Sequence, residues 1–246
     1  MGARAEAMGN ASACIEDVWS INNNIAGLAK TRVASTGFSF HAIPSASFFN
    51  RMAAVFAFPI KAGAAGAGVF RFGDALYNEH VLSLGFAHTF GLASLGAKLN
   101  YLQYHASGLG AYTAVTVSFG GIATLTPNLL FGAHIQNINQ PVINPMTEEH
   151  AATKVYAGMS FLPSSRLTLA AELEKDLEHH ATIKSGLDYQ AFNKVSFRTG
   201  MNLHPESAFF GFGLKNVKLQ ADYSLQLNYT LGITHQATIS YRFKRQ

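Results

Sequence analysis

The groups in this chain best suited to chemistry are its ten histidines. The densest clusters around them are Glu148-Glu149-His150 and Glu178-His179-His180. Neighbouring side chains of a strand point to opposite faces, so His179 and His180 could clasp one ion together only from a loop. Both clusters fall between segments patterned as strands and are expected as solvated loops. A hydrolase would need a Ser–His pair oriented by a third polar group, and no spacing here selects one. Gly63, Gly66 and Gly68 are spaced like a phosphate loop, but no Lys-Ser/Thr follows, so a bend or a close backbone approach is expected instead. Cys14, the single cysteine, has no disulfide partner and no zinc spacing, and is expected as a small buried residue. No enzyme activity, cofactor or metal is expected.

What must position these residues follows from composition. Of 246 residues only 13% are Asp, Glu, Lys or Arg, against about 25% in soluble domains, while Phe (19), Gly (22) and Tyr (9) are heavily used. No stretch approaches about 18 consecutive apolar residues, so a helical membrane span is not expected. The net charge is +4, and no basic run exceeds Lys244-Arg245, so nucleic acid is not an expected partner.

From Val33 onward the chain alternates. In 217–228, Val217, Leu219, Ala221, Tyr223, Leu225 and Leu227 share one parity, and Lys218, Gln220, Asp222, Ser224, Gln226 and Asn228 the other. That is the period of a strand with one apolar face. The same pattern predicts fourteen strands, over 33–41, 52–60, 63–72, 80–90, 93–105, 111–124, 127–138, 152–163, 166–176, 180–191, 194–203, 207–214, 217–227 and 231–243. Tight connections such as 61–62, 91–92 and 164–165 alternate with longer ones at 42–51, 73–79, 106–110 and 139–151. This loop asymmetry, with an even strand number, predicts an all-β, 14-stranded antiparallel transmembrane β-barrel in an outer membrane, with membrane lipid against its wall. His88 and His235 lie on the apolar parity and are expected near lipid headgroups.

Residues 1–32 form a separate segment ahead of the barrel at 33–243. Ile15, Val18, Trp19 and Ile21 have helix-like spacing, followed by a turn at Gly27. The lumen of a fourteen-stranded barrel is too wide for wall side chains to fill, so this segment is expected inside as a plug. Lys98, Glu172, Glu174, Lys184, Asp188, Arg198, Lys218, Asp222 and Arg242 take the inward parity. Nearly balanced in sign, they are expected to form cross-lumen ion pairs holding the plug rather than an ion path.

Two motifs bracket the chain. Gly2-Ala3-Arg4-Ala5, Met8-Gly9-Asn10-Ala11, Glu16-Asp17 and Asn24-Ile25-Ala26-Gly27-Leu28-Ala29 resemble the opening of the PorV/PorQ-like proteins, a branch of the long-chain fatty-acid transporter (FadL-type) barrels. Gly232, Thr234, His235, Ser240, Tyr241, Arg242 and Phe243 resemble that family's closing strand. Ile25 stands where the family usually has Pro, and Cys14 where a small residue such as Ala is usual. The resemblance implies a plugged barrel in the outer membrane of a Gram-negative bacterium, with other outer-membrane or envelope proteins as partners. Its first implied role is that of a non-catalytic subunit of an export machine, most directly type IX secretion. The alternatives are a transporter of hydrophobic small molecules such as fatty acids, and an accessory subunit of another complex such as the barrel-assembly machinery.

Overall fold

The computed structural model describes residues 1–108, 110–144, 148–177, 179–228 and 232–244. The wall begins with β1 (Ser35–Ala42), β2 (Arg51–Ile60), β3 (Gly63–Gly73), β4 (Tyr77–Phe90), β5 (Ala93–Ala106), β6 (Gly110–Thr126) and β7 (Leu129–Gln136). A small hairpin, β8 (Val142–Asn144) and β9 (Glu149–His150), stands apart from it. The wall resumes with β10 (Lys154–Ser164), β11 (Leu167–Asp176), β12 (Thr182–Phe192), β13 (Val195–Leu203), β14 (Glu206–Lys215), β15 (Leu219–Asn228) and β16 (Gly232–Arg242). Each strand pairs antiparallel with its neighbour, and β1 pairs β16 from Ser35↔Arg242 to Ala42↔His235, closing a barrel of fourteen strands.

Alternation decides which face each side chain takes. On β15, Asp222 and Ser224 are buried inward while Leu219 and Leu227 are exposed outward. Register aligns the outward residues into rows that cross neighbouring strands. One row runs Val69, Leu82, Tyr101, Val115; lower rows hold Leu84 and Leu99, then Phe86 and Phe119, then Phe90 and Phe131. Leu82 to Phe90 is about 27 Å along the strand. At the usual tilt this gives about 20 Å of height, and with the side chains at each edge it matches the apolar band of about 25 Å found on membrane barrels.

Several expectations need correction. The stretch 139–151, expected as a plain loop, carries the β8–β9 hairpin, because Val142 pairs His150 once the chain has turned back. β4 starts at Tyr77, so the loop before it is only residues 74–76. The turn at 204–205 joins β13 and β14 with two residues at the long-loop end, so the loop asymmetry is less regular than the sequence suggests. The N-terminal helix is displaced too: the α-helix is Ala3–Ala7, and the Ile15–Ile21 region holds only a 3-10 turn, Val18–Ile21. Side-chain caps explain this. Asp17 and Ser20 form a reciprocal capping box, and Asn24 caps a second 3-10 segment, Ile25–Lys30, which contains the expected turn at Gly27.

Candidate functional site: the plugged lumen

Residues 1–30 lie inside the barrel, seated on two chemically different walls. The first is apolar. Trp19, Ile21, Ile25 and Leu28 pack against Ala53, Val55, Ala57, Ala64 and Ala87 of β2 to β4. Small wall residues make the room: a Cβ on Gly66 would stand 2.7 Å from Leu28 Cδ1, so Gly66 marks a close approach to the plug. Each large plug side chain buried here contributes about 1.5–3 kcal/mol.

The second wall is charged. Glu172, almost fully buried, accepts the backbone N–H groups of Ser12 (2.8 Å) and Ala13 (2.6 Å) and pairs with Lys184 at 3.3 Å. Lys184 also meets Glu174 (2.5 Å), which Lys154 reaches at 3.3 Å. Nearer the short turns, Arg4 bonds Asp188 at 3.2 Å and lies 3.6 Å from Asp17. Arg198 joins Asp188 (3.1 Å) to Asp222 (2.8 Å). Lys98 is buried on β5 but enters no ion pair among the described residues. Lys218 and Arg242, expected in the lumen, sit instead at the short-turn mouth, because β15 starts only at Leu219 and Arg242 ends β16.

The motif residues are placed as follows. Gly2 lies against the Trp19 ring, and Met8 is buried beside Ala5, Ala11 and Ile15. Gly9 (φ 65) and Asn10 (φ 59) take the left-handed turn ending the first helix, and Glu16 is exposed. Asn24 donates to the Ala13 and Gly121 carbonyls, tying plug to wall. A Cβ on Gly27 would overlap the Ile15 carbonyl. On the closing strand, Gly232 opens β16, Thr234 is buried inward, and Ser240 accepts the Trp19 indole N–H at 3.1 Å. Tyr241 meets Phe243 edge-on, and Phe243 meets Phe56. His235 faces outward and bonds the Tyr223 hydroxyl at 2.7 Å, while His88 lies edge-on to Phe90. His179 and His180 are exposed, with Glu178 outside the described residues; Glu149 and His150 are exposed on β9. Among the described residues no three His, Cys, Asp or Glu side chains converge on one metal position.

Sequence reasoning missed a glycine track. Gly132 pairs Gly158 across β7 and β10, and Gly186 pairs Gly200 across β12 and β13. The plug backbone from Met8 to Ala13 lies directly on them: a Cβ on Gly132 would overlap the Ala13 carbonyl, and one on Gly200 the Gly9 nitrogen. The available signal was glycine at the inward parity of consecutive pairs. The Glu6–His41 contact (3.4 Å) and the stacked His134–Tyr156 rings (4.1 Å) were also missed.

Cys14 provides a probe of the plug. It is buried over β10, with its thiol facing the Gly158 carbonyl at 3.7 Å, and burial pushes its pKa up to about 11. At pH 8 roughly one thiol in a thousand is ionised. A maleimide at pH 8 is therefore expected to leave the folded barrel unlabelled and to react stoichiometrically once urea unseats the plug. Rapid labelling of the folded protein would contradict this seating.

The plug separates two sets of openings. At the long-loop end a vestibule of about 770 Å³ is lined by polar groups, including His134, Tyr156, Lys184 and Glu174. At the other end lie cavities of about 220 and 160 Å³, the smaller one mainly polar, and a recess of about 1070 Å³ beside Phe58, Ile60 and Phe243. None of the residues lining the vestibule lines these.

The closed fourteen-stranded antiparallel wall, with the N-terminal segment inside it, is a fold shared with solved outer-membrane barrels. Among solved structures, a CymD monoaromatic hydrocarbon channel aligns with 99% of this chain and 98% of its own, at TM-score 0.80 and 13% identity. The toluene transporter TodX of P. putida aligns over 100% and 99%, at TM-score 0.74 and 12% identity. The Acinetobacter baumannii outer membrane protein Omp33 is more distant, covering 86% of this chain at TM-score 0.57. No protein-family model matches the chain, and no curated protein matches its sequence. These neighbours are barrels of Gram-negative outer membranes, and the first two are described as a channel and a transporter; the PorV/PorQ resemblance and its secretion role draw no support from them.

Proposed function

We propose that this protein is an outer-membrane channel for small hydrophobic molecules, with the short-turn end toward the periplasm. The observation that carries this reading is the end-to-end likeness, wall and plug together, to barrels described as hydrocarbon channels. The distribution of apolar surface supports it. A solute would enter the vestibule beside the Tyr156 ring, and the apolar lumen ahead of it is the cluster of Trp19, Ile21, Ile25 and Leu28 on an Ala- and Gly-rich wall. Because that wall contributes little bulk, withdrawing Ile25 or Leu28 would leave an apolar slot of the kind a hydrocarbon fills. The plug as seated is the closed state, and passage requires it to shift.

In a Gram-negative host lacking its own channel of this type, expression of the barrel is expected to raise toluene uptake severalfold and leave uptake of a hydrophilic disaccharide unchanged. Equal toluene uptake with and without the barrel would overturn the proposal. A second reading, a non-catalytic subunit of an export machine such as type IX secretion, is favoured by one observation: a lumen filled by so many plug contacts. Stoichiometric co-purification with an export component from native membranes, together with no toluene uptake, would favour it.

A further inference from the structure

The charges of the short-turn end are one-sided. Lys30 and Arg32, where the plug leaves the lumen, line one cavity with Lys215, Lys218 and Arg242. Arg32 continues into the recess that also holds Lys61 and Lys244, and Lys215 into the cavity that holds Arg166 and Lys194. Shared lining residues thus join nine basic side chains into one belt around the mouth. None of the nine forms a salt bridge among the described residues. Of the acids nearby, Asp17, Asp188 and Asp222 are engaged by Arg4 and Arg198, leaving Glu16 as the exposed carboxylate. The opposite rim differs, with Asp74, Glu79, Glu149 and Glu206 interspersed among its few basic residues.

Folding does not require this belt. Unpaired like charges repel one another, and each basic side chain sits at a turn or a strand end where an uncharged residue would serve equally well. The geometry points to the short-turn mouth as a docking surface for a soluble protein with an acidic face, received against the opening through which the plug segment joins the wall. Two observations favour a protein over anionic lipid. Lys218 and Arg242 continue the inward parities of β15 and β16 and line the mouth, whereas lipid lies against the outer wall. The belt also encircles an opening, so one rigid acidic surface could meet several of its charges at once, and such complementarity sets association rate and orientation. The orientation rests on the proposed channel reading; the binding itself does not, so the test contains no transport step.

The barrel is placed in nanodiscs of a zwitterionic phospholipid, and binding of a fluorescent twelve-residue polyglutamate peptide is followed at about 50 and 200 mM salt. Binding is expected at low salt and should weaken severalfold at the higher, as exposed charges are screened. The triple variant Lys215→Glu, Lys218→Glu, Arg242→Glu is expected to bind at least tenfold more weakly. The milder set Lys215→Gln, Lys218→Gln, Arg242→Gln should fall between, and Arg71→Glu with Lys175→Glu at the opposite rim should leave binding unchanged. Heat-modifiable gel migration verifies that each variant is folded. In cells, a photo-crosslinking residue at Asn216 is expected to trap a soluble protein in the wild type and not in the triple variant. Equal peptide binding by all variants would overturn the proposal, as would phosphatidylglycerol cross-linked at Asn216 in place of protein.

Discussion

Replacing Glu172 with alanine is expected to destabilise the seated plug by about 3 kcal/mol or more. Removing one partner of a buried ion pair costs about 3–5 kcal/mol, and here Lys184 retains Glu174, which places the ion-pair part at the low end of that range. The Ser12 and Ala13 N–H groups also lose their acceptor, at about 1–3 kcal/mol for each that stays buried and unpaired. Trp19 is the only tryptophan and lies in the plug, so its fluorescence reports seating directly. In a urea titration E172A should move the plug transition to clearly lower concentration, with E172Q between it and wild type because an amide oxygen in the place of Oε2 still accepts both backbone N–H groups while the charge facing Lys184 is lost. A midpoint unchanged in E172A would show that the carboxylate does not hold the plug.

The second large effect concerns space. In Gly132→Ala combined with Gly200→Ala, each added methyl meets plug backbone, which cannot swing aside as a side chain could. Overpacking of this kind costs about 1–3 kcal/mol per site. The two positions contact different plug residues, so their effects should approximately add. The maleimide labelling rate of Cys14 is expected to rise at least tenfold while the barrel stays heat-modifiable. Gly121→Ala, on the outward parity, serves as the control and should behave as wild type. If labelling of the double variant matches wild type, the glycine track does not bear the plug.

The wall was legible in the sequence because a period of two leaves little choice: once Leu219, Ala221 and Tyr223 face out, Asp222 and Ser224 must face in, and neighbouring strands inherit the register. The inward positions of Glu172, Lys184 and Arg198 follow from the same rule, but not their partners, since Glu172 binds residues about 160 positions away. Lys218 and Arg242 were misplaced because parity says nothing about height, and a residue at a strand end points along the lumen axis as much as into it. The plug was hardest to read. Its turns are set by individual caps such as Asp17 and Asn24 rather than by any period, and its path is set by absent side chains on the wall. The basic belt was hidden for a related reason. Its members are spread thinly among separate turns, and only closure of the barrel makes neighbours of them.

The two walls that receive the plug also lie far apart along the chain. Ile21, Ile25 and Leu28 meet β2 to β4, which follow directly, whereas Ala3 bonds Thr238 at 2.8 Å and Gly9 lies on Gly200. The N-terminal segment can therefore dock in only one order. Its later half has partners as soon as the first hairpins exist, while its first dozen residues must wait until the last strands arrive to shut the cylinder. Sealing of the lumen and completion of the wall become one late event, so a chain stalled before β16 carries a loose leading arm, a handle by which quality-control proteases could tell unfinished barrels from finished ones.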